Sequence, residues 1–226
     1  MSGITNPVLY KVLRPEMLVP PSGRNRKRDY LSATEVDPNS RITVAKNLLT
    51  FTGLTRSEAA YAYDDFDSGH FSGNFSHLIG PVNVSAVADA GIIAFWVMAN
   101  DIANPRALQV GEKDHLWIYL IRSGADYSFY LREHNFDTHQ EDPYTTTSAL
   151  IGTDYWFEVY RDESVGTYGT LYCRIYSDVG LNTLVDTLSL TLTKKKDFRY
   201  LYYIGAYDDT NAAACTGTIG GLIINQ

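Results

Sequence analysis

Two nearby segments of the chain, residues 155–161 and 171–177, alternate aromatic or charged side chains with apolar ones. A period of two is typical of strands whose two faces have different neighbours. One face is apolar and is predicted to join a core: Phe157, Val159, Leu171, Cys173 and Ile175. The other face carries the side chains that could bind a ligand: Trp156, Glu158, Tyr160, Tyr172, Arg174 and Tyr176.

Residues 116–121 and 127–132 alternate in the same way and are predicted to form a hairpin. Their polar face, which is of the same kind, carries Trp117, Tyr119, Tyr130 and Arg132. Aromatic rings stack against the C–H surfaces of sugars, while arginine and glutamate bind hydroxyl groups, so these ten side chains are predicted to bind a glycan. The alternative is that the rings pack against loops or against another subunit. The sequence does not distinguish the two.

Glu158 lies on a well-formed predicted strand and could act as a catalytic carboxylate. A cross-strand ion pair with Arg174 is the favoured interpretation of this residue. The sequence contains no Gly-x-Ser-x-Gly elbow, no His-Glu-x-x-His pair and no phosphate-binding loop. It therefore predicts a protein that is not an enzyme.

The densest acidic group of the sequence is formed by Asp64, Asp65 and Asp67. Carboxylates on loops suit calcium, so these residues are the predicted metal site, and calcium is the one cofactor that the sequence suggests. Asp64 and Asp65 could also be turn residues before Phe66.

A second acidic segment contains histidine. His134 and His139 lie five positions apart, close to Asp137, Glu141 and Asp142. These residues could form a metal cluster, but a solvated loop is the favoured interpretation.

Composition limits the kind of partner. The 226 residues carry a formal net charge of -7, which argues against nucleic acid and against an anionic membrane as partners. Seventeen tyrosines suit half-buried strands and recognition surfaces. Two cysteines are too few for a disulfide scaffold. No signal peptide and no membrane-spanning apolar run is evident, so synthesis in a cytoplasm is expected.

The first 45 residues differ from the rest of the chain. Five prolines and the basic run 24–28 predict an extended N-terminal arm over residues 1–45, followed by one domain over residues 46–226. The arm could be a solvated basic segment, or it could dock on a neighbouring subunit or an acidic partner. From residue 42 onward, about a dozen short strands separated by turns predict an all-β protein with two stacked sheets.

The segments 201–209 and 217–224 resemble the closing strands of concanavalin A-like lectin/glucanase domains, and the strand order over residues 50–226 is similar. The resemblance implies a jelly-roll sandwich of two antiparallel sheets. Glucanases of this fold use a Glu-x-Asp-x-x-Glu strand. The nearest match here begins at Glu35 and Asp37 but has Ser40 at the third position, which removes the acid.

Residues 161–173 and 186–190 resemble the sandwich domains of tailed-phage structural proteins. This resemblance implies a non-enzymatic virion protein, made in the host cytoplasm and located on the virion surface as a capsid decoration or tail component. The expected partners are other virion proteins, further copies bound through the arm, and glycans. A free carbohydrate-binding module or lectin is the alternative, and a polysaccharide hydrolase or lyase is the third choice.

Overall fold

The structure is a computed structural model that describes residues 26–136, 138–146 and 150–225. Strands dominate these residues, with one short α-helix, α1 (Pro105–Val110), and a 3-10 turn at Tyr30–Ser32. The strands of the described residues are β1 (Arg26–Arg28), β2 (Thr34–Val36), β3 (Ile42–Ala45), β4 (Leu48–Thr55), β5 (Tyr61–Asp65), β6 (Phe75–Val87), β7 (Ile92–Ala99), β8 (His115–Ser123), β9 (Asp126–Asn135), β10 (Thr138–Thr146), β11 (Asp154–Asp162), β12 (Thr170–Tyr176), β13 (Leu184–Thr191), β14 (Tyr200–Ala206), β15 (Ala214–Ile219) and β16 (Leu222–Asn225).

The strands form two antiparallel sheets, as the sequence predicts. The nine-stranded sheet has the order β13-β12-β11-β6-β15-β4-β3, with β16 beside β6 and β1 beside β16. The seven-stranded sheet has the order β10-β9-β8-β7-β14-β5-β2. Both predicted hairpins are confirmed, because β8 pairs with β9 and β11 pairs with β12. The protein is therefore an all-β sandwich.

A large apolar cluster fills the space between the sheets. The face predicted to be apolar on β11 and β12 belongs to it, and all five of its side chains are fully buried. Phe157 contacts Phe95 and Phe129 of the opposite sheet, at ring-centroid distances of 4.7 and 4.9 Å. Cys173 and Cys215 are both buried free thiols. The alternation seen in the sequence thus determines which face of each strand enters the core.

Strands of the sandwich are already present before residue 46. β1 pairs with β16, β2 with β5, and β3 with β4, so the described residues from Arg26 to Ala45 contribute strands to both sheets. Residues 1–25, which hold most of the predicted arm, lie outside the described residues. In the part of the chain that the structure describes, no helix has the length and apolar character needed to cross a membrane.

The connection between β7 and β8 contains α1. Pro105 occupies the first turn, and the Asn104 side chain caps the helix by accepting a hydrogen bond of 2.7 Å from the Ala107 N–H. Leu108 is buried and belongs to a second apolar cluster that is separate from the core between the sheets. The helix is thereby held on the outer side of the seven-stranded sheet.

This second cluster consists of outward-facing side chains of the seven-stranded sheet, including Trp117 and Tyr202. The Tyr202 hydroxyl donates to the carbonyl of Asp101 at 2.9 Å and accepts from the N–H of Ala103 at 3.1 Å. The connection from β7 to β8 therefore covers part of the outer face of the sheet, and only the rest of that face can meet a ligand.

Candidate functional site

The ten predicted binding residues lie on two faces, not on one. Trp117, Tyr119, Tyr130 and Arg132 lie on β8 and β9 of the seven-stranded sheet, whereas the other six lie on β11 and β12 of the nine-stranded sheet. Both groups alternate with core residues, so they face outward on opposite sides of the sandwich. A single site containing all ten residues is excluded, and two surfaces have to be compared.

We call the first surface the β8–β10 face: Trp117, Tyr119, Tyr130, Arg132 and Glu141. Its rings form a stack. The centroids of Trp117 and Tyr119 are 4.3 Å apart with an interplanar angle of 27°, and those of Tyr119 and Tyr130 are 5.0 Å apart with an angle of 7°. The register explains the second contact, because Tyr119 lies directly opposite Tyr130. Tyr130 ends the stack and is partly exposed.

Charged groups lie beside this stack. Arg132 lies opposite Trp117, and its guanidinium carbon is 5.6 Å from the centre of the indole ring. On the next strand, Glu141 lies opposite Arg132, with its Oε2 atom 3.8 Å from the Arg132 Nε. The Tyr119 hydroxyl donates to the same Oε2 atom at 3.3 Å. Burial, with a smaller contribution from Glu141, raises the pKa of Tyr119, so this hydroxyl keeps its proton.

Two donors of the β8–β10 face have no partner. Neither the Trp117 Nε1 nor the Arg132 Nε makes a hydrogen bond, although Trp117 is 1% exposed and Arg132 is 9% exposed. A buried donor without an acceptor costs free energy, typically about 1–3 kcal/mol. Trp117 belongs to the covered cluster, so its nitrogen does not reach solvent, whereas Arg132 lies beside the partly exposed Glu141.

The sequence did not indicate several further members of this outer face. Tyr61, Tyr63, Tyr200 and Tyr202 form a network of ring contacts on β5 and β14, with centroid distances of 5.3 to 6.0 Å. Tyr207 continues the ladder at the far side of Trp117, at 6.1 Å and 11°. The period-two spacing of these tyrosines was visible in the sequence, but their adjacency depends on long-range strand pairing.

We call the second surface the β11–β12 face: Trp156, Glu158, Tyr160, Tyr172, Arg174 and Tyr176. Its polar groups satisfy one another. Glu158 accepts hydrogen bonds from Arg174 at 3.2 Å and from the Tyr176 hydroxyl at 3.3 Å, which confirms the predicted Glu158–Arg174 pair. Tyr160 stacks on Tyr172 at 4.9 Å, and Arg174 lies 5.0 Å from the Tyr160 ring. The face is half-exposed, but its two charged side chains, Glu158 and Arg174, already pair with each other.

The three aspartates of the predicted calcium site do not converge. Asp64 is buried and binds Arg28 and the Tyr203 hydroxyl. Asp65 faces outward and forms a two-pronged pair with Arg199 at 2.7 and 2.6 Å, and this contact lowers the pKa of Asp65. In residues 26–136, 138–146 and 150–225, no group of three or more potential metal ligands has the geometry to hold an ion.

The histidine segment is a strand pair rather than a solvated loop. His134 on β9 lies opposite His115 on β8 and opposite His139 on β10. The His115 and His134 rings stack at 4.9 Å and are both buried, whereas His139 is exposed. Asp137, which the sequence placed in the same acidic group, lies outside the described residues. Sequence analysis did not predict β10 as a strand because most of its residues are polar.

Together, the two stacked antiparallel sheets form a concanavalin A-like jelly-roll sandwich, the fold that the resemblance implied. No protein-family model and no curated protein matches the chain. Solved structures with this fold do match.

The CBM2 module of the evolved Dit of Lactobacillus casei BL23 phage J-1 is 11% identical, with a TM-score of 0.57, covering 90% of this chain and 98% of that one. The lectin UEA-II complexed with galactose is 7% identical, with a TM-score of 0.58 and coverages of 89% and 97%. A mutant of alginate lyase Aly36B bound to an alginate trisaccharide is 14% identical, with a TM-score of 0.52 and coverages of 88% and 89%. At these identities the likeness establishes the fold and leaves activity to be argued from the site.

Proposed function

We propose that this protein is a non-enzymatic, glycan-binding component of a phage particle and that the β8–β10 face is its binding surface. The observation that carries the proposal is the stack of Trp117, Tyr119 and Tyr130, which ends in the partly exposed Tyr130 near the ion pair of Arg132 and Glu141. A sugar offers apolar C–H surface to an exposed ring and hydroxyl groups to charged side chains. This face provides both.

Tyr130 is the ring that a glycan would reach first. One side of it is stacked on Tyr119, and the side chain is partly exposed at the end of the stack. Glu141 lies next to it on β10, with a side chain 36% exposed. A sugar packed on Tyr130 would thus lie within reach of both a carboxylate acceptor and the Arg132 guanidinium. The similarity to a phage carbohydrate-binding module and to a galactose-bound lectin is in keeping with such a site.

Binding without cleavage is the form of the proposal that the chemistry favours. Retaining hydrolysis requires two carboxyl groups about 5 Å apart. Of the contacts made by Trp117, Tyr119, Tyr130 and Arg132 in the described part of the chain, Glu141 provides the one carboxylate. A lyase would require a base, and the raised pKa of Tyr119 disfavours its phenolate at neutral pH.

The first prediction concerns Tyr130. Replacement Tyr130→Ala should weaken glycan binding about tenfold or more, because it removes the exposed aromatic surface without opening the core. Binding is measured by titration calorimetry with the best ligand from a glycan array. The matched control is Tyr172→Ala on the β11–β12 face, which removes a stacked, half-exposed ring and should leave binding unchanged. Loss of binding in the control alone would move the site to the other sheet.

The enzymatic alternative is tested with the same ligands. Prolonged incubation with the array-selected oligosaccharide should leave its chain length unchanged, as followed by mass spectrometry. New reducing ends would indicate a hydrolase, and unsaturated uronate products would indicate a lyase. Either result would overturn the non-enzymatic part of the proposal.

The virion part of the proposal concerns location and partners. The proposed partners are other particle proteins and further copies of this chain, bound through the N-terminal arm. The chain should co-purify with intact particles of the virus that encodes it, at a fixed copy number in quantitative mass spectrometry. If the protein is found only in the soluble lysate, the free lectin or carbohydrate-binding module becomes the better interpretation.

A further inference from the structure

Two arginines of this protein offer a direct comparison, because each lies on an outer sheet face beside stacked aromatic rings and opposite a glutamate. On the β11–β12 face, Arg174 donates a hydrogen bond of 3.2 Å to Glu158. On the β8–β10 face, the Arg132 Nε lies 3.8 Å from Glu141, too far for a hydrogen bond, and has no other acceptor. The first ion pair is hydrogen-bonded, and the second is a longer ion pair in which the Arg132 Nε makes no hydrogen bond.

Further unpaired nitrogens surround Arg132. The indole N–H of Trp117, which lies opposite Arg132, has no acceptor. Two residues along the same two strands, neither ring nitrogen of His134 makes a hydrogen bond. The His115 Nδ1 donates to the Lys113 carbonyl, so its free Nε2 is an acceptor. All four side chains are at least nine-tenths buried. Beside Arg132 the outer face thus has two buried donors without a hydrogen bond, the Trp117 Nε1 and the Arg132 Nε, and one carboxylate, Glu141.

From this imbalance we infer that the β8–β10 face selects glycans that carry a carboxylate, such as uronic acids, over neutral sugars. The inference rests on the proposed glycan-binding function of the same face. A carboxylate accepts hydrogen bonds at two oxygens and pairs with arginine in a two-pronged geometry, so it can replace Glu141 as the counterion and supply the acceptor that the Arg132 Nε lacks. A neutral hydroxyl supplies an acceptor oxygen but no charge.

Glu141 has a specific role in this scheme. Its side chain is partly exposed and is held by a long contact to Arg132 and by one hydrogen bond of 3.3 Å from Tyr119. In this inference Glu141 is the anion that a ligand carboxylate displaces. Removing its charge without changing its shape should therefore improve binding of an acidic sugar.

The test uses matched sugars that differ in charge. The probes are trisaccharides of galacturonic, glucuronic and mannuronic acid, each compared with its methyl ester, titrated into the full chain by calorimetry. The parent protein should bind at least one acid about tenfold or more tightly than its ester, and increasing salt should reduce the difference. Glu141→Gln should strengthen acid binding about threefold or more relative to ester binding.

Variants at the two arginines complete the experiment. Arg132→Met should abolish the preference for the acid, and Arg174→Met, the matched control, should retain it. If Arg132→Met does not fold, as judged by its melting curve, Glu141→Gln at the exposed end of the contact still decides the matter. Equal binding of acid and ester, or binding of neutral array glycans alone, would overturn the inference and leave the proposed function standing. Failure to bind any acidic or neutral glycan would remove the proposed function itself.

Discussion

Acidification from about pH 7.5 to about pH 5 is expected to lower the free energy of unfolding by about 4 kcal/mol. Two fully buried histidines, His77 and His115, account for the effect. Burial lowers the pKa of each from 6.5 to about 3 in the folded protein. Unfolding restores both to water, where they take up protons as the pH falls below about 6.5.

The environment of each ring explains why the folded protein resists protonation. His77 accepts a hydrogen bond of 3.0 Å from the Trp96 Nε1, so a proton added at Nδ1 would face another N–H. His115 hydrogen-bonds the Lys113 carbonyl through Nδ1 at 2.8 Å, and its other nitrogen is buried without a partner. Arg132 and Lys196 add positive charge around His115 and disfavour a further cation there.

The direction follows from proton binding. Between about pH 6.5 and about pH 3 the unfolded chain binds more protons at these two positions than the folded chain, so stability falls as the pH falls. At about pH 5 each histidine contributes about 2 kcal/mol of this loss, since one pKa unit corresponds to about 1.4 kcal/mol. Above about pH 7.5 the two histidines contribute almost no pH dependence, because they are then unprotonated in both states.

Urea unfolding of the parent and of two variants measures the effect. His77→Gln and His115→Gln should each remove about half of the difference between the two pH values, whatever they do to stability at neutral pH. His139→Gln, which removes an exposed imidazole, should retain the full difference. A parent protein equally stable at both pH values would show that these rings are protonated without cost or are reached by water.

Replacement of Arg161 by methionine should destabilise the fold by about 3–5 kcal/mol. The Arg161 side chain is fully buried, and its guanidinium donates to the carbonyls of Gly73, Phe71 and Lys196, with the Gly73 contact at 2.7 Å. These acceptors belong to two segments far apart in the sequence, residues 71–73 and Lys196. Methionine fills much of the volume but leaves each carbonyl without that donor.

Thermal and urea unfolding measure this loss, which corresponds to roughly 6–15 °C in melting temperature for a domain of this size. The matched control is Arg199→Met, which removes another arginine, one that pairs with Asp65 at a site 40% exposed, and should change stability little. Arg161→Lys, which keeps the charge but not the three-way geometry, should fall between the parent and the methionine variant. Equal stability of Arg161→Met and Arg199→Met would show that the carbonyls find other donors.

The candidate site shows where sequence analysis succeeds and where it stops. Alternation correctly paired Glu158 with Arg174, because those residues lie on a hairpin whose register depends on a short turn. It did not predict the contact of Arg132 with Glu141, although their strands also form a hairpin. The polar sequence of β10 has no alternation of apolar residues that would predict a strand. These residues form a strand because they pair with the edge of β9.

The predicted calcium site illustrates a different limit. A run of aspartates determines local charge density, but it does not determine which cations reach it. Arg28 and Arg199 are distant in sequence from the aspartates that they neutralise. Folding brings these arginines to Asp64 and Asp65, and both carboxylates form ion pairs.

The sequence by itself determined the all-β class, the sandwich of two sheets and the inner face of most strands, because side-chain alternation is a local property of an extended chain. Only the tertiary structure decided that the aromatic faces point to opposite sides of the sandwich. Only it showed that α1 covers part of one face and that Arg132 lies farther from its glutamate than Arg174 does. These properties depend on which distant strands pair and in which register, and long-range pairing is set by the packing of the whole core.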